Sequence, residues 1–176
     1  IKSFVLKSKA NTLKNLSKML SHSNIIKQLS FSVSDWNTDR FQILNDIKAK
    51  FFNSKIAIRS SAASEDSLSV SNAGAFKSFL KIDSSNKHQV EQTIDEVIAS
   101  YGKYNPLDAV LVQKFISNSS IAGVIMSRTL GANAPYVVFE YDEISGKTDT
   151  VTKGTTQDIK TLYVLREKLE NNQNIP

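Results

Sequence analysis

The sequence contains no cysteine and only two histidines, His22 and His88. The first absence removes disulfides and thiolate metal or redox chemistry, in keeping with a reducing cytoplasm. The second leaves too few imidazoles for a histidine-rich metal site. No apolar run reaches the ~18 residues that a membrane-spanning helix needs. The opening stretch IKSFVLKSKAN has neither the apolar core nor the small-residue cleavage site of a secretory signal. We therefore expect a cytoplasmic protein with no membrane partner. Walker A and GxGxxG patterns are missing too, which excludes the two familiar glycine-based phosphate cradles. The formal charge is +5, yet the lysines lie singly along the chain and do not interleave with aromatics. That distribution favours anionic ligands in general and argues against a nucleic-acid partner.

What is present describes a folded protein. Of 176 residues, 40% are hydrophobic and 22% charged, and a chain of this length buries about two-thirds of its unfolded surface. The chain opens on Ile1 rather than methionine and ends on the polar run NNQNIP, so it reads as a fragment of a longer polypeptide.

Hydrophobic period separates helices from strands. Residues 9–22 place Leu13, Leu16 and Leu20 on one helical face, and residues 38–52 do the same with Phe41, Leu44, Ile47 and Phe51 behind a Thr38 cap. KIAIRS at 55–60 reads as a strand. AFKSFLKI at 75–82 alternates Phe76, Ser78, Leu80 and Ile82 against Lys77, Phe79 and Lys81, so it reads as another. Residues 86–101 form a helix with Asn86 as cap and Val90, Ile94, Val97, Ile98 and Tyr101 on its stripe. Strands follow at 109–116, 122–129 and 136–141, with a shorter one around 148–152. A closing helix over 157–170 carries Ile159, Leu162, Leu165 and Leu169. Helices and strands in this order make the class α+β, with antiparallel or mixed sheets and flanking helices.

Chemistry concentrates around IAIRSSAASEDSLSVSNAG, Ile56 to Gly74. Arg59 leaves a buried-looking strand, and its fork of donors suits a phosphate. It could equally pair with Glu65 or Asp66 across its own loop. The serines and the terminal glycine could donate to an anion or simply stay solvated.

Read whole, this stretch resembles the nucleotide-binding segment of the pyruvate phosphate dikinase and phosphoenolpyruvate synthase family, V-R-S-S-A-x-x-E-D-x-x-x-x-S-F-A-G. Arg59, Ser60, Ser61, Ala62, Glu65, Asp66, Ser71, Ala73 and Gly74 fall at the family spacing. LKSKANTLKNL resembles G-G-K-A-x-x-L-x-x-L, which aligns Lys9 with a phosphate-contacting lysine and puts Ser8 where glycine is usual. VLVQKFISNSSIAGVIMSRTL resembles V-Q-x-M-V followed by S-G-V-x-F-T-R, matching Val112, Gln113, Gly123, Val124 and Arg128. The similarity covers roughly residues 3–154.

The resemblance implies an ATP-grasp-like nucleotide-binding domain that takes ATP and Mg²⁺ between two lobes, here over the whole of 1–176. Lys9, Arg59 and Arg128 would act on the transferring phosphates. Ser60, Ser61, Ser71 and Gly74 would line the phosphate loop, and Gln113, Lys114 and Phe115 would present main-chain groups to the adenine edge. Glu140 would hold the metal with Asp142, one alternation further along the same face; an ordinary acidic strand end is the other reading. The phosphoryl group would pass to a histidine on a swivelling domain that this chain lacks, as it lacks the barrel for phosphoenolpyruvate and pyruvate. The sequence departs from the family at Asn72, where phenylalanine is usual, and at EISGKTDTVTKG, where a G-L-G-E turn and a glutamine are expected near Thr152 or Lys153. That departure leaves a second outcome open, a non-catalytic binding module that keeps the fold.

Overall fold

A computed structural model describes residues 8–62, 66–67, 70–71, 76–102, 105–154 and 158–171. The order is α1 (Lys9–Leu16), β1 (Gln28–Ser32), α2 (Val33–Thr38), α3 (Arg40–Lys50), β2 (Lys55–Ser61), β3 (Asp66–Ser67), β4 (Val70–Ser71), β5 (Ser78–Asp83), α4 (Lys87–Ala99), β6 (Ala109–Lys114), β7 (Ala122–Met126), β8 (Tyr136–Asp142), α5 (Thr150–Lys153), β9 (Lys160–Leu165) and α6 (Arg166–Glu170). The α+β class stands. The chain divides into two compact units, residues 1–115 and 116–176. Among the described residues, no helix is long and apolar enough to cross a membrane.

The first unit is built on a four-stranded antiparallel sheet in the order β1-β6-β2-β5. Alternation divides its residues between two faces. Ile56, Ile58, Val110 and Val112 join Ile43, Leu44 and Ile47 of α3 and Val90, Ile94 and Val97 of α4 in one core. Ala57, Arg59 and Ser61 take the other face, directly opposite Gln113, Leu111 and Ala109.

Local chemistry explains several boundaries. The Asn86 side chain accepts from Gln89 N at 3.0 Å and starts α4 as expected. The helix expected over 38–52 is α3, Arg40–Lys50, and a short unexpected helix, α2, precedes it. α2 begins with a reciprocal pair in which Ser32 Oγ accepts from Asp35 N and Asp35 Oδ2 accepts from Ser32 N. α3 is then capped by Asp39, which accepts from Gln42 N at 3.0 Å, rather than by Thr38. The first helix stops at Leu16, leaving Leu20 exposed.

Strand β5 departs from simple alternation. Ile56 pairs with Ile82 but Ile58 pairs with Phe79, so β5 carries one extra residue, and Lys81 takes a φ of 62° there. The bulge lets Ile82 and Phe79, three residues apart, both face the core, and it turns Leu80 out of the expected stripe.

The second unit is a three-stranded antiparallel sheet, β7-β8-β9. Two expectations fail here. Residues 160–165 form β9 instead of a helix, because Thr161, Tyr163 and Val164 favour extended backbone and the free edge of β8 offers them a ladder. Only 166–170 is helical. Around 148–152 the expected strand is absent; Thr150–Lys153 makes a single helical turn closed by Gly154 at φ 60°.

Candidate functional site

In the first unit, Lys9, Arg59 and Ser61 lie around the end of β2. Lys9 opens α1, and the next residue, Ala10, donates its N–H to Ser61 Oγ at 2.9 Å. Arg59 lies two residues before Ser61 on the same sheet face, opposite Leu111. Its Nε is buried and has no hydrogen-bond partner among the described residues. A guanidinium partly withdrawn from water without a counter-charge pays desolvation that an incoming anion would offset. Among the described residues, no carboxylate does so.

The other proposed contacts of this unit are placed differently from one another. Ser60 is buried on the opposite, helix-packed face beside Ile58, so its side chain does not share Arg59's face. Ser71 pairs with Asp66 in the short β3–β4 ladder. Gly74, with Glu65, Asn72 and Ala73, lies outside the described residues. Gln113 is buried, with Nε2 donating to Gln28 Oε1 at 3.4 Å. Of the main-chain groups expected at an adenine edge, the N–H groups of Lys114 and Phe115 are committed to neighbouring backbone. Lys114 N donates to Lys27 O at 3.1 Å and Phe115 N to Lys55 O at 2.8 Å. Contacts to a base from these two residues would have to come from carbonyl oxygens or side chains.

In the second unit, Glu140 stands on β8 between Val124 of β7 and Thr161 of β9. Its carboxylate is half-buried and makes no ion pair or hydrogen bond among the described residues. Asp142 shares its face but is occupied with the turn that follows. Its Oδ1 accepts from Ile144 N at 2.8 Å and Ser145 N at 2.9 Å, and Oδ2 accepts from the Ser145 hydroxyl. The Ser145 hydroxyl first, then these two N–H groups, hold the Asp142 carboxyl well below the usual carboxylate range. Arg128 lies beyond the end of β7 and is exposed; its guanidinium donates to Asn133 O at 3.0 Å across the β7–β8 connection.

The opposite face presents Gly123, Ile125, Phe139, Tyr141 and Leu162, and these border a hollow of about 390 Å³ whose lining also includes Glu140 and Glu143. Gly123 is required by close approach, since a β-carbon there would sit 2.3 Å from Glu140 O.

Magnesium can be tested against these donors. No group of three or more His, Cys, Asp or Glu gathers as a metal cage among the described residues. Mg²⁺ bound with nucleotide needs only one or two carboxylates, the phosphates and water completing its octahedron. Glu140, an uncommitted carboxylate, fits that demand; Asp142 is already engaged.

Helices packed on antiparallel sheets in an α+β arrangement are the architecture of an ATP-grasp-like nucleotide-binding domain. The family model for the pyruvate phosphate dikinase AMP/ATP-binding domain matches residues 5–156, and the chain belongs to that family. Comparison with curated proteins finds no match.

Two features escaped the sequence reading. Tyr101 sits at the end of an amphipathic stripe and reads as one more core residue, yet its hydroxyl joins two strands. The Ser61 hydroxyl reads as a ligand donor, yet it accepts from a helix fifty-one residues away in sequence. Neither role has a local signal, because both depend on strand register.

Proposed function

We propose that the chain binds Mg·ATP and serves the transfer of a phosphoryl group from ATP to a histidine on another domain of the full-length protein, as in phosphoenolpyruvate synthase or pyruvate phosphate dikinase. The observation that carries this reading is Arg59, whose buried Nε lacks a partner among the described residues on the face that Ser61 ties to the Lys9 helix. Lys9 and Arg59 hold and neutralise phosphate oxygens, the arginine through paired N–H donors. Glu140 holds Mg²⁺, which when bound supplies further neutralisation of phosphate charge. Phosphoryl transfer asks mainly for positioning and charge, so no protein nucleophile is needed on this chain.

The reading is tested by supplying a histidine-bearing swivelling domain in trans with labelled ATP. Acid-labile, base-stable label on that domain is expected, and it should vanish with Arg59→Ala. Nucleotide binding without transfer would instead favour the non-catalytic binding module, the reading that the departure at 143–154 keeps open.

A further inference from the structure

The C-terminal end of α4 holds both stems of the serine-rich segment. Tyr101 is 7% exposed, and its Oη–H donates to Ala109 O at 2.5 Å while the oxygen accepts from Ser61 N at 3.2 Å. Ser61 is where the chain leaves β2. On the return side, the Phe76 ring stands edge-on to Tyr101 with centroids 5.3 Å apart and an angle of 83° between planes. The adjacent Ser100 Oγ accepts from Lys77 N at 3.1 Å and donates to Val97 O at 2.6 Å. Entry and exit are thus fixed to one helix end.

The same linkage reaches Lys9. Helix α1 has no cap of its own, since Ser8 makes no side-chain cap bond. The orphan N–H of Ala10, second residue of the helix, is satisfied by Ser61 Oγ instead. Ser61 is 0% exposed and Ala10 3%. A hydroxyl supplied from a distant strand therefore stands where the N-cap oxygen would be. The bond sets where Lys9 begins its reach, and it depends on how Tyr101 holds Ser61.

We propose that Tyr101 and Ser61 are positioning residues for nucleotide binding: Tyr101 clamps Ser61, and Ser61 places the Lys9 helix against the strand that carries Arg59. This assignment rests on the nucleotide-binding reading above. It gives Ser61 a task beside direct phosphate contact: its oxygen accepts from Ala10 N while its O–H stays available as a donor.

Tyr101→Phe keeps the ring against Phe76 and removes only the hydroxyl, whereas Ser61→Ala removes only the link to α1. In the 176-residue chain, each should raise the Kd for Mg·ATP by about threefold to tenfold, the reach of one hydrogen bond. In a Lys9→Ala background neither should raise it further, and that coupling separates positioning from general destabilisation. Amide exchange at Ala10 should accelerate in both variants, with or without nucleotide. An effect that adds to Lys9→Ala in full, or a Kd unchanged while Ala10 exchange rises, would overturn the positioning role. If the wild-type chain took up no nucleotide, the functional reading and the role would fall together, while faster Ala10 exchange in Tyr101→Phe would still establish the linkage. Should Tyr101→Phe fail to fold, Ser61→Ala carries the same test.

Discussion

Gly123 and Tyr141 face each other across the β7–β8 ladder so closely that a β-carbon at 123 would lie 2.8 Å from that of Tyr141. Real β-carbons do not approach so near, and the Glu140 carbonyl would be closer still. Gly123→Ala should therefore cost about 1–3 kcal/mol as strands part to admit the methyl. Urea unfolding checks this; an unchanged midpoint would mean that the sheet yields without cost. Because the carbonyl that must move is Glu140's own, the same variant should weaken the Mg²⁺-dependent part of ATP binding.

Glu140→Gln removes the uncommitted carboxylate and little else. ATP titrated with and without Mg²⁺ should bind wild type more tightly when the ion is present. That increment should disappear in Glu140→Gln and survive in Asp142→Asn, whose side chain belongs to the turn. The reverse pattern would transfer the metal role to Asp142.

Asp142 also has a pH signature. Its folded carboxyl titrates below the ordinary 3.8, because the Ser145 hydroxyl and the N–H groups of Ser145 and Ile144 favour the charged form. Its contribution is thus fully present above the unfolded value and is lost as pH falls from about 4 through the folded one. Asp35 behaves alike in the first unit, held down chiefly by the Ser32 N–H. The urea midpoint should fall between pH 5 and 2.5 in wild type and fall less steeply in Asp142→Asn.

Trp36 is fully buried, donates Nε1–H to Asp95 Oδ1 at 2.9 Å and lies under the Arg40 guanidinium at 5.1 Å. Trp36→Ala should cost about 3–5 kcal/mol as a cavity opens. Trp36→Phe keeps most of the ring volume and should cost about 0.5–1.5 kcal/mol for the lost hydrogen bond. Equal losses from the two would show that packing contributes nothing beyond the N–H.

Much of this architecture was legible where periodicity and a cap agreed. α4 shows both, with its Val90–Ile94–Val97 stripe and Asn86, and the strands at 55–61 and 109–114 carry unbroken apolar runs. Periodicity misled at 157–170, where Leu162 and Leu165 satisfy a helical spacing but pairing with Phe139 and Tyr136 decides for a strand. β1 went unread because QLSFS is short and its partner, Gln113 opposite Gln28, is remote in sequence. At the site, Lys9 and Arg59 were legible as residues of a motif. That Ser60 faces the core while Ser61 faces Ala10 follows only from strand register. The fates of Lys114 and Phe115 depend likewise on which strand lies beside them.

The central claim is that Arg59 waits for a phosphate, and a calorimetric titration of Mg·ATP into wild type, Arg59→Ala and Arg59→Lys tests it most directly. Wild type should saturate. Arg59→Ala should weaken binding by about 10- to 100-fold, the worth of a charge-assisted hydrogen bond, and Arg59→Lys should recover only part because an ammonium lacks the fork. Superimposable isotherms for wild type and Arg59→Ala, or no heat from wild type at millimolar nucleotide, would contradict the account.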